Sequence, residues 1–219
     1  MKYKHSGRLL DIGCATGFFL DGMRSQGKWE LHGVEINPHV AEIARQRYGL
    51  EVRTGTLREA AYPAQFFDVI TMWDVLEHLH QPLESLREIH RILKPDGLLV
   101  LRVPNIGSLD AKLFKRYWAG YDAPRHLYVF SPNTLREILR KAGFDLMDRN
   151  SHSGNYTTFL LSLRFWINAH EYNSKSSDWL LRILYHPILR ICSAPFFYLR
   201  GLGLRGSQIV VTAAKTNGN

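Results

Sequence analysis

Cysteine is nearly absent: Cys14 and Cys192 are the chain's two, far apart and outside any CxxC or Cys/His pattern. That excludes a disulfide framework and a thiolate zinc site, and it fits a reducing, cytoplasmic setting. Uninterrupted apolar runs of about 18 residues, the length a membrane span needs, are also missing. The stretch from Trp179 to Leu204 comes nearest, and Arg182, His186, Arg190 and Arg200 interrupt it. Met1 to Gly7 is short and polar, without the apolar stretch of a secretory leader, so the chain reads as not secreted. There is no internal repeat. Acids are scarce beside bases, 20 against 28, for a net charge of +8. That excess favours an acidic partner: a phosphate-bearing substrate, an anionic membrane surface or nucleic acid. Nucleic acid is the weakest of these, because the basic residues form no phosphate-tracking groove with interleaved aromatics.

What is present is a folded chain, 45% hydrophobic and 22% charged over 219 residues, enough for one α/β domain with an insertion. Apolar runs alternate with helix-period segments through the first two thirds, the pattern of a parallel sheet faced by helices. Strands are expected at 8–12, 30–35, 51–54, 67–73, 97–103, 144–149 and 207–213. Helices are expected at 18–25, 38–48 and 83–93, and from Ser131 to about Lys141, with Pro104 to Tyr128 as loop. Pro38 suits a first helical turn, Gly143 a helix end, and Pro95-Asp96-Gly97 a turn before the fifth strand. Residues 1–150 then form the core, 151–206 a helical insertion, and 207–219 the last core strand and tail.

The segment Leu9-Leu10-Asp11-Ile12-Gly13-Cys14-Ala15-Thr16-Gly17 ends the first strand and opens a helix. Small residues at 13, 15 and 17 let the backbone approach a ligand while helix-terminal N–H groups face it. Glu35 stands 22 residues after Gly13 at the end of the second strand, where a carboxylate can accept both hydroxyls of a ribose.

Together with VEINP, FDVITMWDVLEHL, LKPDGLLVLRVPN and PRHLYVFSPNTLREILRKAGF, the LLDIGCATGFFL loop resembles the class I S-adenosylmethionine-dependent methyltransferases. The likeness is strongest to the group containing the ubiquinone-biosynthesis O-methyltransferases and covers roughly residues 8 to 150. It implies a Rossmann-like αβα sandwich with a mostly parallel seven-stranded sheet, an antiparallel last strand and a helical insertion before it. It implies S-adenosylmethionine as cofactor and S-adenosylhomocysteine as product. Carried over, the cofactor residues are Asp11, Gly13, Cys14, Ala15, Gly17 and Phe18 in the loop and Glu35 and Ile36 at the ribose. Thr56 and Leu57 then stand at the adenine, and Met72, Trp73 and Asp74 follow the fourth strand.

Three positions depart from the pattern. Ala15 replaces a usual glycine, which a backbone of negative φ would tolerate. Thr56 replaces an aspartate that receives the adenine amino group, and its hydroxyl is the weaker acceptor. Only seven residues precede the first strand where relatives carry closing helices, so the site is either more open or lacks its lid.

Methyl transfer asks the protein to align a nucleophile behind an activated carbon and remove its proton. His126, in the loop after the fifth strand, is the candidate base. Arg125, His78 and Tyr121 are the candidate substrate contacts, Arg125 for a carboxylate or phosphate. Asp74, Glu77 and His78, spaced i, i+3, i+4, would share a helix face and suit a divalent ion such as Mg²⁺ or Mn²⁺; a capped helix with a buried, hydrogen-bonded histidine is the favoured reading over a metal. In the insertion, Arg182, His186 and Arg190 recur every four residues beside Trp179, Leu180, Ile183, Leu184, Ile188 and Ile191. That is a basic amphipathic helix with Pro187 kinking or dividing it, serving as cap, homodimer surface or peripheral membrane contact. The function so read is O-methyl transfer to a small or lipid-like acceptor. The alternative is an S-adenosylmethionine-binding protein without turnover that docks to a membrane or partner through this insertion.

Overall fold

A computed structural model of the chain describes residues 3–152, 155–170 and 186–216. Its strands are β1 (Ser6–Ile12), β2 (Lys28–Glu35), β3 (Glu51–Thr54), β4 (Phe67–Trp73), β5 (Leu93–Pro104), β6 (Phe144–Asn150) and β7 (Gln208–Lys215). The helices are α1 (Phe18–Met23), α2 (Pro38–Tyr48), α3 (Pro82–Ile92), α4 (Leu109–Phe114), α5 (Pro132–Lys141), α6 (Asn155–His170) and α7 (Pro187–Arg200). One seven-stranded sheet runs β3-β2-β1-β4-β5-β7-β6, parallel through its first five strands and antiparallel at the last strand of the chain. The expected α/β architecture is therefore the observed one. Because β2 lies on one side of β1 and β4 on the other, the winding reverses at the carboxyl end of β1, where open α/β sheets bind ligands.

Two compact units share the chain. The first comprises residues 1–102, 136–148 and 211–219, the second 103–135 and 149–210. In the first unit α1 and α2 bury Leu20, Met23, Ala41 and Ala44 against Leu9, Val52 and Val69 of the sheet. Local signals explain why α2 keeps its expected bounds. The Asn37 side chain accepts from the N–H groups of His39 and Val40, Pro38 opens the first turn, and Gly49 at φ 60 closes the last.

The expected start of β5 at Gly97 is corrected to Leu93. Phe67 pairs with Leu93 and Val69 with Leu98, so Lys94 to Gly97 bulge out of the ladder opposite Asp68. The Pro95-Asp96-Gly97 turn sits inside the strand because Lys94 reaches the Asp68 carboxylate at 2.8 Å, and the same carboxylate accepts the Arg8 N–H at 2.8 Å.

In the second unit the expected loop of 104–128 contains α4 and two short 3-10 turns. Ser108 caps α4 by accepting the Ala111 N–H at 3.0 Å, and Ala111, Phe114 and Trp118 form a core with Phe159 and Leu163 of α6. Buried amides tie the unit together. Asn155 donates to the carbonyls of Ser151 and Phe197 and accepts from the Ser207 N–H, while Asn105 donates to those of Leu204 and Gly206. α7 begins at Pro187, capped by His186. Residues 171–185, including Trp179 and Arg182, lie outside the described residues.

Candidate cofactor site and acceptor pocket

The loop after β1 turns back on itself through three residues of positive φ: Gly13 at 71°, Ala15 at 47° and Gly17 at 82°. A side chain at Gly13 would bring its Cβ within 2.6 Å of Val75, and one at Gly17 within 2.5 Å of Leu50, so both positions require glycine for space as well as for φ. The Gly13 and Cys14 N–H groups donate to the Val34 carbonyl at 2.8 and 3.1 Å, fastening the loop to the end of β2. The condition under which Ala15 would be tolerated without cost, a negative φ, is not met: the loop needs the left-handed region there, and alanine adopts it at a steric cost.

Glu35 closes the arrangement. One carboxylate oxygen accepts the Ala15 N–H at 3.0 Å and the other accepts the Asn37 N–H at 2.9 Å, so the acid bridges the loop and the start of α2. Phe18 and Ile36 stay 79% and 71% exposed beside it, apolar groups left without a core. The cradle, a carboxylate at its rim and exposed apolar surface fit a nucleoside carrying an amino-acid end. Cys14 turns its sulfur inward against Gly33, and burial pushes the thiol up to about 12, so only its backbone faces the loop. Thr56 is tied to a residue that sequence reasoning passed over. Glu59 accepts both its N–H at 2.7 Å and its hydroxyl at 2.8 Å, leaving a carboxylate where a threonine alone was expected. The Thr-x-x-Glu spacing of a capping box was the available signal. Leu57, between them, is half-buried.

Beyond β4, Met72 is buried in the sheet, Trp73 packs edge-on against Phe19 at 5.2 Å, and Asp74, at φ 56, forms an ion pair with Arg102 through both oxygens. The expected helix carrying Asp74, Glu77 and His78 on one face is a single 3-10 turn, Leu76–His78, with Glu77 buried and His78 exposed. Arg102 neutralises the first carboxylate of the set that sequence spacing had grouped for a metal ion.

The second unit holds a pocket of about 720 Å³ lined by residues of α4 and of the segment after it, among them Tyr121, His126, Leu127 and Tyr128. The His126 ring is largely buried, and its Nδ1 donates to the Gly120 carbonyl at 2.8 Å. That bond sets the tautomer of the neutral ring and leaves the lone pair on Nε2, which stands 3.8 Å from an Asp122 oxygen. Arg125, the other expected substrate contact, is exposed and bonded to Asp122 at 2.7 Å.

A family profile described as a methyltransferase domain matches residues 2–148. The chain belongs to this family. S-adenosylmethionine is the cofactor of these enzymes. The ubiquinone biosynthesis O-methyltransferase of Ruegeria pomeroyi is 34% identical over 158 residues, which cover 65% of this chain and 61% of that protein. Its namesake from Cereibacter sphaeroides is 30% identical over 167 residues, covering 71% and 67%. The chain thus spans between three fifths and two thirds of these curated relatives. Phosphoethanolamine N-methyltransferase 2 of Haemonchus contortus, solved with S-adenosylmethionine, superposes with a TM-score of 0.63 at 19% identity, over 98% of this chain and 50% of that one, a likeness of fold.

Two buried acids give the methyltransferase domain a pH response. Burial raises Asp11 to about 7 against the opposing Thr71 hydrogen bond, with the Glu35 charge adding to the rise, and burial raises Glu77 to about 8. The unfolded chain releases both protons near pH 4, whereas the folded chain holds them to those higher values. Between these limits the native state carries more protons, so stability falls as pH rises, by up to about 1.4 kcal/mol per pH unit for each group. Urea unfolding of the cofactor-free chain between about pH 5 and 8 is expected to show a falling midpoint. Glu77→Gln, with no proton to lose, flattens the upper part of the curve; a midpoint rising across this range would contradict the assignment.

Proposed function

We propose that the chain transfers the methyl group of S-adenosylmethionine to an oxygen of a small or lipid-like acceptor. The observation that carries the reading is the Glu35 bridge: one carboxylate joins the glycine-type loop to α2 at the switch point of the sheet. The loop from Asp11 to Phe18 with Glu35 and Ile36 would hold the methionine and ribose parts, and Thr56 with Glu59 the adenine amino group. The cofactor supplies a methyl group made electrophilic by its sulfonium. The protein's share is to bind the acceptor in the second unit's pocket and accept its hydroxyl proton on His126 Nε2, with Asp122 nearby to stabilise the imidazolium. Tyr121 forms part of that pocket's wall, and Arg125 and His78 are proposed as further acceptor contacts.

The test is release of S-adenosylhomocysteine when the chain is given S-adenosylmethionine with phenolic, quinol, sugar or lipid acceptors. Turnover with a hydroxyl-bearing acceptor and none with its methyl ether is the expected result. A second reading, cofactor binding without turnover by a protein that docks at a membrane or partner, draws on the exposed Ile188, Ile191, Phe196 and Leu199 of α7. Among the described residues no helix is long and apolar enough to cross a membrane, so such contact would be peripheral. Tight cofactor binding with no product from any acceptor would favour this second reading.

A further inference from the structure

The second unit's pocket carries a charge that none of the described residues balances. Lys112, Lys115 and Arg116 stand in its wall and, among the described residues, no acidic one does. Among the described residues none of the three lies within ion-pair distance of a carboxylate. The two acids of segment 103–135 are engaged elsewhere: Asp110 is buried and accepts from the Ser207 hydroxyl, and Asp122 binds Arg125. Three like charges gathered at one cavity repel each other until an anion enters.

Lys115 supplies a second, independent observation. Its backbone sits at φ 49 and ψ −122, a region glycine adopts freely and L side chains rarely do. A strained position occupied by a lysine that lines a cavity is the kind of outlier that marks a ligand contact. The rest of the lining is apolar or aromatic, with Leu127, Val129 and Tyr121 forming surface for a hydrocarbon or ring.

The geometry points to a phosphate monoester on an aromatic or aliphatic body as the ligand of this pocket and so as the class of methyl acceptor, an inference that rests on the methyltransferase reading. A carboxylate brings one charge to three cations. A phosphate monoester brings nearly two, with three acceptor oxygens to distribute among Lys112, Lys115 and Arg116. His126 lines the same cavity, with its ring held by the Nδ1 bond to the Gly120 carbonyl.

Calorimetric titration of the full chain with phenyl phosphate, benzoate and phenol tests this. Phenyl phosphate is expected to bind at least tenfold more tightly than benzoate, and phenol most weakly. Lys112→Gln and Arg116→Gln should each weaken phenyl phosphate roughly tenfold and leave phenol unchanged. Lys115→Gly is the informative variant: it relieves the backbone and should raise the thermal midpoint while losing phenyl phosphate affinity to the same degree. A purely structural role would move the midpoint alone. Phosphatidylcholine vesicles with and without phosphatidic acid separate the sources. Capture by phosphatidic acid that phenyl phosphate reverses assigns a lipid headgroup; phenyl phosphate binding without capture assigns a soluble ester. Equal affinity for phenol and phenyl phosphate, or a Lys115→Gly chain that binds phenyl phosphate as the native one does, overturns the inference. S-adenosylmethionine titrated in parallel keeps the two readings apart. A chain that binds the phosphate and not the cofactor defeats the methyltransferase reading, and the converse defeats the anion site.

Discussion

Exchanging Glu35 for alanine is expected to raise the dissociation constant for S-adenosylmethionine by more than about 100-fold, since two hydrogen bonds to a charged acceptor contribute about 1.5 to 3 kcal/mol each. The carboxylate is proposed to take both ribose hydroxyls while continuing to accept from Ala15 and Asn37, and its two oxygens have lone pairs enough for four bonds. Glu35→Gln preserves the shape and still fails in part. Its amide can turn an oxygen toward only one of the two backbone N–H groups and sets its own N–H against the other. A loss between native and alanine is expected. Calorimetry measures the affinity; thermal unfolding of the cofactor-free chain supplies the control. Both backbone donors lie at the surface, where water replaces the lost acceptor, so stability should fall by no more than about 1 to 2 kcal/mol. Ala15→Gly is expected to act in the opposite direction, relieving the left-handed alanine and tightening binding slightly. A Glu35→Ala chain that binds the cofactor as tightly as the native chain would remove the ribose assignment.

That bridge was half legible in the sequence. The spacing from Gly13 to Glu35 implied that the loop and the acid meet at one ligand, and the fold joins them directly through the Ala15 N–H. The sign of φ at Ala15 was not legible, because it follows from the loop having to return under Val34, a tertiary constraint. Elements with their own start and stop chemistry, α2 above all, keep their expected ends. Those set by partners do not. β5 begins four residues early because Lys94 finds Asp68, twenty-six positions away. α4, six residues long, is too short for a periodic pattern, and its cap at Ser108 was the signal available. The three cations of the second unit's pocket read as ordinary surface charge in sequence. What sets them apart is that they reach no acid among the described residues, and Asp110, the nearest in sequence, is buried and bonded to Ser207.

Removing the imidazole of His126 is expected to lower kcat by about 10² to 10⁴, the usual contribution of a positioned base, with the dissociation constant for S-adenosylmethionine unchanged. The cofactor constant separates chemistry from damage, because the proposed cofactor residues all belong to the first compact unit and His126 to the second. The choice of replacement separates the base from the scaffold. His126 does two things: Nδ1 donates to the Gly120 carbonyl and Nε2 keeps a lone pair. Asparagine places an amide N–H near the position of Nδ1 and nothing basic near that of Nε2, so His126→Asn can keep the bond to Gly120 and lose the proton acceptor. If the histidine is a base, His126→Asn and His126→Ala lose activity alike, and the acidic limb of the pH–rate profile disappears in both. If its role is to hold the turn from Gly120 to His126, His126→Asn retains activity and His126→Ala does not, with the acidic limb intact in the variant that still works. The second pattern would move the search for the base elsewhere in the pocket, where Tyr121, Tyr128, Lys112 and Lys115 also line the wall.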